Sequence, residues 1–319
     1  MGALAVGVAA LGLASAAYQA AGEARDRRRR QPPGRLVDVG GYRLHILCAG
    51  HGTPAVVIIP ALGATVDDWR EVQRRTAGET TVCVYDRAGL GYSDSPPRHR
   101  TARRMAEELH ALLQGAGIAP PYVLAGHSLG GLVTRVFTRL YPEEVAGVAL
   151  IDASHPDMQQ RIPNTFLWHY PAGPLLVAVL GRARPLGLRR LARDLGLYEG
   201  DGIGWSRQRR AGQGELLALK AICRETSRMV GDLGDVPLAV VTANEMDPNL
   251  GPGSRTQRAL SRFYRGWIVL QDEMVALSAD STHVVAERGG HHLNHDNPEL
   301  VAQAVTDLVR RVRSRASIS

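Results

Sequence analysis

The fold is decided by the stretch YVLAGHSLGG, residues 122–131. Its apolar first half predicts a short buried strand, and an apolar-periodic segment beginning near Leu129 predicts a helix directly after it. Glycines at 126 and 130 allow a tight turn between the two, because larger side chains would collide across it. Such a turn holds Ser128 out over the edge of a sheet as a nucleophile. The alternative is a serine that only caps the following helix.

Outward from this turn, short apolar runs alternate with helical stretches such as Thr101–Gly115 and Leu129–Tyr141. Short apolar strands separated by helices predict an α/β fold with a mostly parallel central sheet flanked by helices. The predicted strands are Arg43–Cys48, Ala55–Ile59, Thr81–Tyr85, Tyr122–Ala125, Val145–Ile151, Leu238–Thr242 and Thr282–Ala286.

The strand rhythm stops between residues 155 and 233 and then resumes. We therefore expect a helical cap inserted between a first core part, 36–154, and a second, 234–319. Helical patches in it are Leu175–Leu180, Leu186–Leu195 and Glu215–Val230. An apolar lid formed by the Leu175–Leu180 run with Phe166, Leu167, Trp168 and Tyr170 would favour an apolar substrate, although plain helix packing is the alternative.

Residues 1–30 form an apolar segment with an arginine-rich flank, and residues 31–35 form a linker rich in proline and glycine. The uncharged run 2–21 is long enough to cross a bilayer, which predicts a membrane anchor. The arginines that follow it predict a cytoplasmic catalytic domain. A cleaved signal peptide and a mobile alanine-rich tail are the alternatives, the latter with a cytoplasmic protein.

Composition and charge indicate which partners and cofactors to expect. The chain has 319 residues, a formal net charge of +7 and three cysteines. The basic residues other than Lys220 are all arginine, and no aromatic-interleaved basic stripe accompanies them, so no nucleic-acid partner is predicted. The cysteines lack metal-ligand spacing, and neither a metal nor an organic cofactor is predicted.

A serine hydroxyl needs an imidazole to accept its proton and a carboxylate to orient that imidazole. Asp247 follows the strand Leu238–Thr242, and His291 follows the strand Thr282–Ala286. The chain order Ser128, Asp247, His291 is the order used on sheets of this topology.

Several separated motifs together resemble the α/β-hydrolase fold family, specifically its serine-nucleophile members with a helical cap. They are YDRAGLGYS at 85–93, the turn at 126–130, IDAS at 151–154, NEMDP at 244–248, and GGHHL at 289–293 ending in NPE at 297–299. The resemblance runs from about residue 36 to residue 308. It selects His291 over His292 and His295 as the catalytic histidine.

The resemblance also implies the acid and the oxyanion donors. Asp247 is the preferred acid, Asp152 at the end of the strand before the cap is the alternative, and Glu245 is a weaker one. The backbone amides of Leu62 and Leu129 are expected to bind the oxyanion. Ala61 stands where the family often has glycine, which would make a positive φ costly there.

The loop 86–93 is interpreted as structural, with Arg87 and Asp94 expected to hold it in place. Cys48 and Cys83 lie on strands that are neighbours in this fold. Buried free thiols are expected, and a disulfide, which would indicate an exported domain, is the alternative.

The resulting prediction is a serine hydrolase that cleaves an apolar, ester-like small molecule, or an amide or thioester, through an acyl-enzyme. Fluorophosphonate labelling would separate it from a non-catalytic ligand-binding or scaffold protein of the same fold. Perhydrolase or acyltransferase chemistry on the same three residues is a further alternative.

Overall fold

A computed structural model describes residues 14–18, 20–22, 25, 31–96, 99–162, 205–244 and 255–317. Eight strands in these ranges form a sheet in the order β1-β2-β4-β3-β5-β6-β7-β8. The pairs β1·β2 and β2·β4 are antiparallel, and the others are parallel. The strands are β1 (Arg35–Asp38), β2 (Arg43–Ala49), β3 (Ala55–Ile59), β4 (Val82–Asp86), β5 (Tyr122–His127), β6 (Val145–Ile151), β7 (Leu238–Thr242) and β8 (Ser281–Val285).

Helices cover both faces of this sheet, as the buried strand sequences require. The helices assigned from residue 31 onward in the described ranges are α1 (Arg70–Thr76), α2 (Ala102–Gly115), α3 (Leu129–Leu140), α4 (Met158–Arg161), α5 (Trp205–Met229), α6 (Arg255–Val275), α7 (Leu293–Asp296) and α8 (Pro298–Ala316). Short 3₁₀ helices span Val66–Trp69 and Pro142–Glu144. This confirms the predicted α/β fold with a mostly parallel central sheet flanked by helices.

The core is divided by the sheet into two apolar layers. Along β3, Val57 and Ile59 belong to the layer under α2, α3 and α5, whereas Val56 and Ile58 belong to the layer under α1 and α8. This alternation follows from the two-residue period of a strand, and all five residues of β3 are buried. A strand buried on both faces reads as a continuous apolar run, which is the signal that located it in the sequence.

Two elements depart from the predicted organisation. The sheet begins at Arg35, inside the predicted linker 31–35, because β1 pairs with β2 at its antiparallel edge. This edge strand is partly exposed and therefore lacks the apolar run that marks the central strands. Helix α6 was not assigned from the sequence, although Phe263, Trp267, Leu270 and Met274 lie at helical spacing on it.

The cap is described only at its two ends. Helix α5 packs with its Leu219, Ile222 and Cys223 in the core layer shared by α2 and α3. Residues 163–204, which include the predicted lid residues at 166–170 and the patches 175–180 and 186–195, lie outside the described residues. The expectation of an apolar lid stays a prediction.

The predicted anchor 2–21 is described only from residue 14, where it is helical. Within the described ranges, no helix combines the length and the apolar character that a membrane span requires. Most of the run 2–21 lies outside the described residues, and the membrane anchor stays a prediction.

Cys48 and Cys83 form a disulfide, and the expectation of free thiols was wrong. The two cysteines face each other directly in the antiparallel ladder between β2 and β4. Among the described residues, Cys223 is the free cysteine, and it is buried. Disulfides are typical of oxidising compartments, so the redox state of this pair tests the predicted cytoplasmic location.

Candidate active site

Ser128 occupies the turn between β5 and α3, where φ is 51° and ψ is −119°. A positive φ is costly for a residue other than glycine, so the surrounding structure must hold it. The Ser128 amide donates to the Ile151 carbonyl at 3.3 Å, and its own carbonyl accepts from Gly131 at 2.9 Å and Ser154 at 3.0 Å. These bonds to α3 and to the residues around the end of β6 fix the hydroxyl at the carboxyl edge of the sheet.

The glycines of this turn are required by close backbone contacts. A Cβ at Gly126 would lie 2.3 Å from the Thr134 Oγ1 and 2.7 Å from the Gly130 carbonyl oxygen. A Cβ at Gly130 would lie 2.0 Å from the Ile59 carbonyl oxygen. No side chain fits at such distances, which is the steric reason for the Gly-x-Ser-x-Gly spacing.

His291 lies between β8 and α7, and its imidazole reaches the serine. Its Nε2 is 3.0 Å from the Ser128 Oγ, and its Nδ1 is 2.6 Å from the Asp152 Oδ2. The imidazole is 35% exposed, whereas the Asp152 side chain is 1% exposed. The structure thus brings together a hydroxyl, an imidazole and a buried carboxylate in one hydrogen-bonded series, the arrangement that activates a serine nucleophile.

Asp152 is held by donors from two other elements. Its Oδ1 accepts from the Ala243 amide after β7 at 3.1 Å and from the Trp267 Nε1 of α6 at 2.9 Å. Its own φ is 37°, and its amide donates to the Val241 carbonyl at 2.6 Å. With Oδ1 occupied by two donors, Oδ2 is directed to His291.

Trp267 contacts two residues of the candidate site and was not predicted from the sequence. Besides its bond to Asp152, its ring meets the His291 ring edge to face, with centroids 5.7 Å apart and an interplanar angle of 85°. On the same helix, Gln271 donates to the Ala153 carbonyl at 2.8 Å. The apolar helical spacing of α6 could have located the helix, but nothing in that spacing indicates which strand end it contacts.

The carboxylate next to His291 in the described residues is therefore Asp152, the alternative acid of the sequence analysis. The preferred acid, Asp247, and the weaker candidate Glu245 lie in 245–254, outside the described residues. Their roles stay predictions.

The neighbouring histidines make other contacts. The His295 Nε2 is 3.3 Å from the Asp68 Oδ1. Burial and the nearby His291 lower the pKa of His292, whose ring lies edge to face with that of His291 at 5.6 Å. Of the three histidines in this segment, His291 is the one whose contact with the Ser128 hydroxyl is described.

His127 connects the backbone of the segment that carries His291 to β5. Its Nε2 is 2.7 Å from the His291 carbonyl oxygen, and because a carbonyl only accepts, the Nε2 carries the hydrogen. Burial and the adjacent His291 lower the pKa of His127 well below 6.5, so the ring is neutral.

The two predicted oxyanion donors belong to segments in direct contact. Leu129 is the first residue of α3, and Leu62 lies in the loop 60–63 after β3. A Cβ on Gly130 would lie 2.9 Å from the Pro60 carbonyl oxygen, so the first turn of α3 packs against this loop. Ala61 needs no positive φ, since the described non-glycine residues with positive φ are Ser128 and Asp152 and the loop makes its left-handed turn at Gly63, φ 69°.

Arg87 and Asp94, the residues expected to hold the loop 86–93 in place, bond to different partners. Asp94 contacts the amide and the Nε of Arg43, at 3.0 and 3.1 Å. The Arg87 guanidinium instead points toward the loop 60–63 and toward Glu215 of α5. Because the partners are 128 positions apart, local sequence gave no signal for this pair.

No set of three or more His, Cys, Asp or Glu side chains within the described ranges forms a metal-binding group. One cavity of about 1060 Å³ lies between residues 88–104 and α5, and its lining does not include Ser128 or His291. It is a separate feature from the hydrogen-bonded series.

A family profile described as alpha/beta hydrolase fold matches residues 54–261. Among curated relatives, the uncharacterized protein YqjL of Bacillus subtilis (strain 168) is 24% identical over 268 residues, which cover 82% of this chain and 88% of that protein. An enol-lactonase from Burkholderia xenovorans LB400 has a TM-score of 0.60 at 18% identity, covering 86% of this chain and 100% of that one. A thermophilic esterase from Thermogutta terrifontis has a TM-score of 0.56 at 21% identity, covering 87% and 98%.

Proposed function

Because the chain belongs to the alpha/beta hydrolase fold family, we propose that it is a serine hydrolase that cleaves carboxylic esters through an acyl-enzyme. Ser128 is the nucleophile, His291 the general base and acid, and Asp152 the carboxylate that orients it. The observation that carries the proposal is the unbroken hydrogen-bonded series from the Ser128 Oγ through the two nitrogens of His291 to the Asp152 Oδ2.

In the proposed reaction the Ser128 Oγ attacks the carbonyl carbon while the His291 Nε2 takes the hydroxyl proton. The tetrahedral oxyanion is bound by the amides of Leu62 and Leu129. His291 then donates the proton to the leaving alcohol oxygen as the carbon–oxygen bond breaks, which leaves the acyl group on Ser128. Water attacks this acyl group while His291 takes its proton, and His291 returns that proton to the Ser128 oxygen as the carbon–oxygen bond to the serine breaks and the carboxylic acid is released.

Asp152 is proposed as the acid in place of Asp247 because its carboxylate fulfils both requirements of the role. It is buried, which strengthens its interaction with the imidazolium that forms, and its geometry selects the His291 tautomer with a proton on Nδ1. Residues 151–154 were identified as a family motif, and the end of β6 is where the alternative acid was expected.

The serine also narrows the reaction class. Relatives that open epoxides or remove halogens form their covalent intermediate on an aspartate at this turn, which this chain lacks. The structural neighbours include an esterase, an enol-lactonase and an epoxide hydrolase, so the serine at 128 is what favours acyl chemistry here. Esters and lactones are therefore the substrate class we propose, with amides and thioesters as weaker candidates.

Labelling with a fluorophosphonate probe tests the proposal. We expect the full chain to be modified at Ser128, located by peptide mass spectrometry, and to hydrolyse p-nitrophenyl esters, while Ser128→Ala shows neither reaction. The adjacent histidines supply a matched pair, since His291→Gln should remove hydrolysis and His292→Gln should retain it within about tenfold. Hydrolysis that persists in Ser128→Ala, or equal loss in the two histidine variants, would refute the assignment.

A further inference from the structure

From the contacts of the loop 60–63 we infer that Arg87 and Glu215 are positioning residues, which orient the Leu62 amide toward the oxyanion. The inference rests on the proposed function and extends it by naming what holds that half of the oxyanion site. Arg87 directly follows β4, and Glu215 belongs to α5 on the carboxyl side of the cap.

The Arg87 guanidinium contacts two consecutive carbonyls of the loop. Its Nη1 donates to the Pro60 carbonyl at 2.5 Å, and its Nη2 donates to the Ala61 carbonyl at 2.6 Å. The rest of the fork meets Glu215, with Nε to Oε1 at 2.6 Å and Nη2 to Oε2 at 2.9 Å. Glu215 Oε2 also accepts from the Gly63 amide at 2.9 Å. Both side chains are 1% exposed.

These contacts fix the direction of the Leu62 N–H. The Ala61 carbonyl and the Leu62 N–H belong to the same planar trans peptide, in which the two groups point in opposite directions. A guanidinium bonded to the Ala61 oxygen therefore directs the Leu62 N–H away from Arg87. Glu215 holds the next peptide through the Gly63 N–H, so the peptides on both sides of the Leu62 Cα are anchored.

The same bond strengthens the donor. A cation on the carbonyl oxygen polarises the peptide and makes its N–H a better hydrogen-bond donor, and the effect is larger in a buried site. Burial opposes the charge of Arg87, but the Glu215 carboxylate outweighs it and the pKa of Arg87 is raised. The guanidinium thus stays charged where it contacts the loop.

Helix α5 packs closely against both segments that this arrangement connects. A Cβ on Gly212 would lie 3.4 Å from the Gly63 Cα, and a Cβ on Gly89 would lie 2.7 Å from the Ala211 Cβ. The helix that carries Glu215 therefore touches both the loop 60–63 and the turn after Arg87. The helix on the carboxyl side of the cap is in this way mechanically connected to the proposed oxyanion donor.

The test compares Glu215→Gln and Arg87→Lys with the wild type on an oxygen ester and on the matched thionoester. Oxyanion donors stabilise a developing O⁻ far better than a developing S⁻, so the ratio of kcat/KM values for the two substrates reports on the alignment of the donors. We expect kcat on the oxygen ester to fall by about 10- to 100-fold with KM nearly unchanged, and the oxygen-to-sulfur ratio to fall by about tenfold.

A second buried ion pair provides the control. Arg100 and Glu108 form a bidentate pair at 2.6 and 2.7 Å, each side chain is 5% exposed, and no contact to the loop 60–63 is described for either. Arg100→Lys and Glu108→Gln should leave the oxygen-to-sulfur ratio at the wild-type value, whatever they do to the melting temperature.

An oxygen-to-sulfur ratio unchanged in the folded Glu215 and Arg87 variants, or lowered equally in the control variants, would overturn the inference. If Glu215→Gln does not fold, Arg87→Lys decides, because it keeps the charge and loses the fork. Failure of the proposed function has a separate signature, since Ser128→Ala would then retain hydrolysis of both substrates.

Discussion

Replacing Asp152 by asparagine should lower kcat by about 10⁴-fold while the fold is kept. The two oxygens of this carboxylate have unequal surroundings. Oδ1 accepts from the Ala243 amide and the Trp267 indole, whereas Oδ2 faces the His291 Nδ1. An asparagine must leave its oxygen with the two donors, because its NH₂ there would face two N–H groups. Its NH₂ then points at His291.

This orientation selects the wrong imidazole tautomer. An NH₂ facing the His291 Nδ1 requires that nitrogen to accept, which moves the ring proton to Nε2, and Nε2 can then no longer take the proton of Ser128. The loss of about 10⁴-fold corresponds to about 5 kcal/mol of activation free energy. Alanine is the poorer test, because it leaves two buried donors unpaired at about 1–3 kcal/mol each in stability.

The assay measures single-turnover acylation with a p-nitrophenyl ester, together with thermal melts of each variant. Asp247→Asn is the comparison, and we expect it to change kcat by less than about tenfold. If Asp152→Asn remains within tenfold of the wild type while Asp247→Asn loses about 10⁴-fold, the tautomer argument is refuted and the acid is Asp247.

Three further perturbations test the fold around the site. Gly130→Ala would place a methyl carbon 2.0 Å from the Ile59 carbonyl oxygen, so we expect about 10²-fold lower kcat and a lower melting temperature. Gly78→Ala is the neutral control, because a Cβ at position 78 would meet no atom within 4 Å, and equal behaviour of the two variants would contradict the steric argument. His127 stays neutral in the folded state while an unfolded histidine gains a proton below pH 6.5, so the free energy of unfolding should decline as the pH falls through 6.5. In urea titrations between pH 6.5 and 5, His127→Gln should remove up to about 1.4 kcal/mol per pH unit of this decline, and an unchanged slope in the variant would argue against the assignment. Reducing the disulfide between β2 and β4, whose cysteines are 35 positions apart, should lower the free energy of unfolding by about 4 kcal/mol, and identical urea curves with and without reductant would show that the bond adds nothing.

The central part of the fold was predictable because its signals are local. β3, β6 and β7 have the bounds expected from their apolar runs, and the serine turn is identified by two glycines with steric roles. The edge strand β1 escaped because it is partly exposed and short. Pairing with β2 stabilises β1, and the residues of a strand do not by themselves indicate its pairing partner.

The candidate site was predictable in its residue types and less so in its pairings. Asp152 and Asp247 each follow a strand that ends at the same edge of the sheet, and both lie between Ser128 and His291 in the chain. Sequence order does not separate them, and only the resemblance to the family favoured Asp247. Trp267 and Glu215 were missed because each acts through a contact with a residue 115 or 128 positions away. Helical spacing identifies which side of α5 or α6 is apolar, but it does not identify the loop that this side meets.

Ser128 and Asp152 each stand one step beyond a directly paired position, since His127 and Ile151 are partners in the ladder between β5 and β6. The inter-strand spacing of the sheet thus sets the distance between the backbones of the proposed nucleophile and acid, and this distance does not depend on the length of any loop. Exchanging the segment 163–204 for the corresponding segment of a relative should leave this measure intact. Substrate preference could then diversify in this lineage while the reacting groups keep their separation.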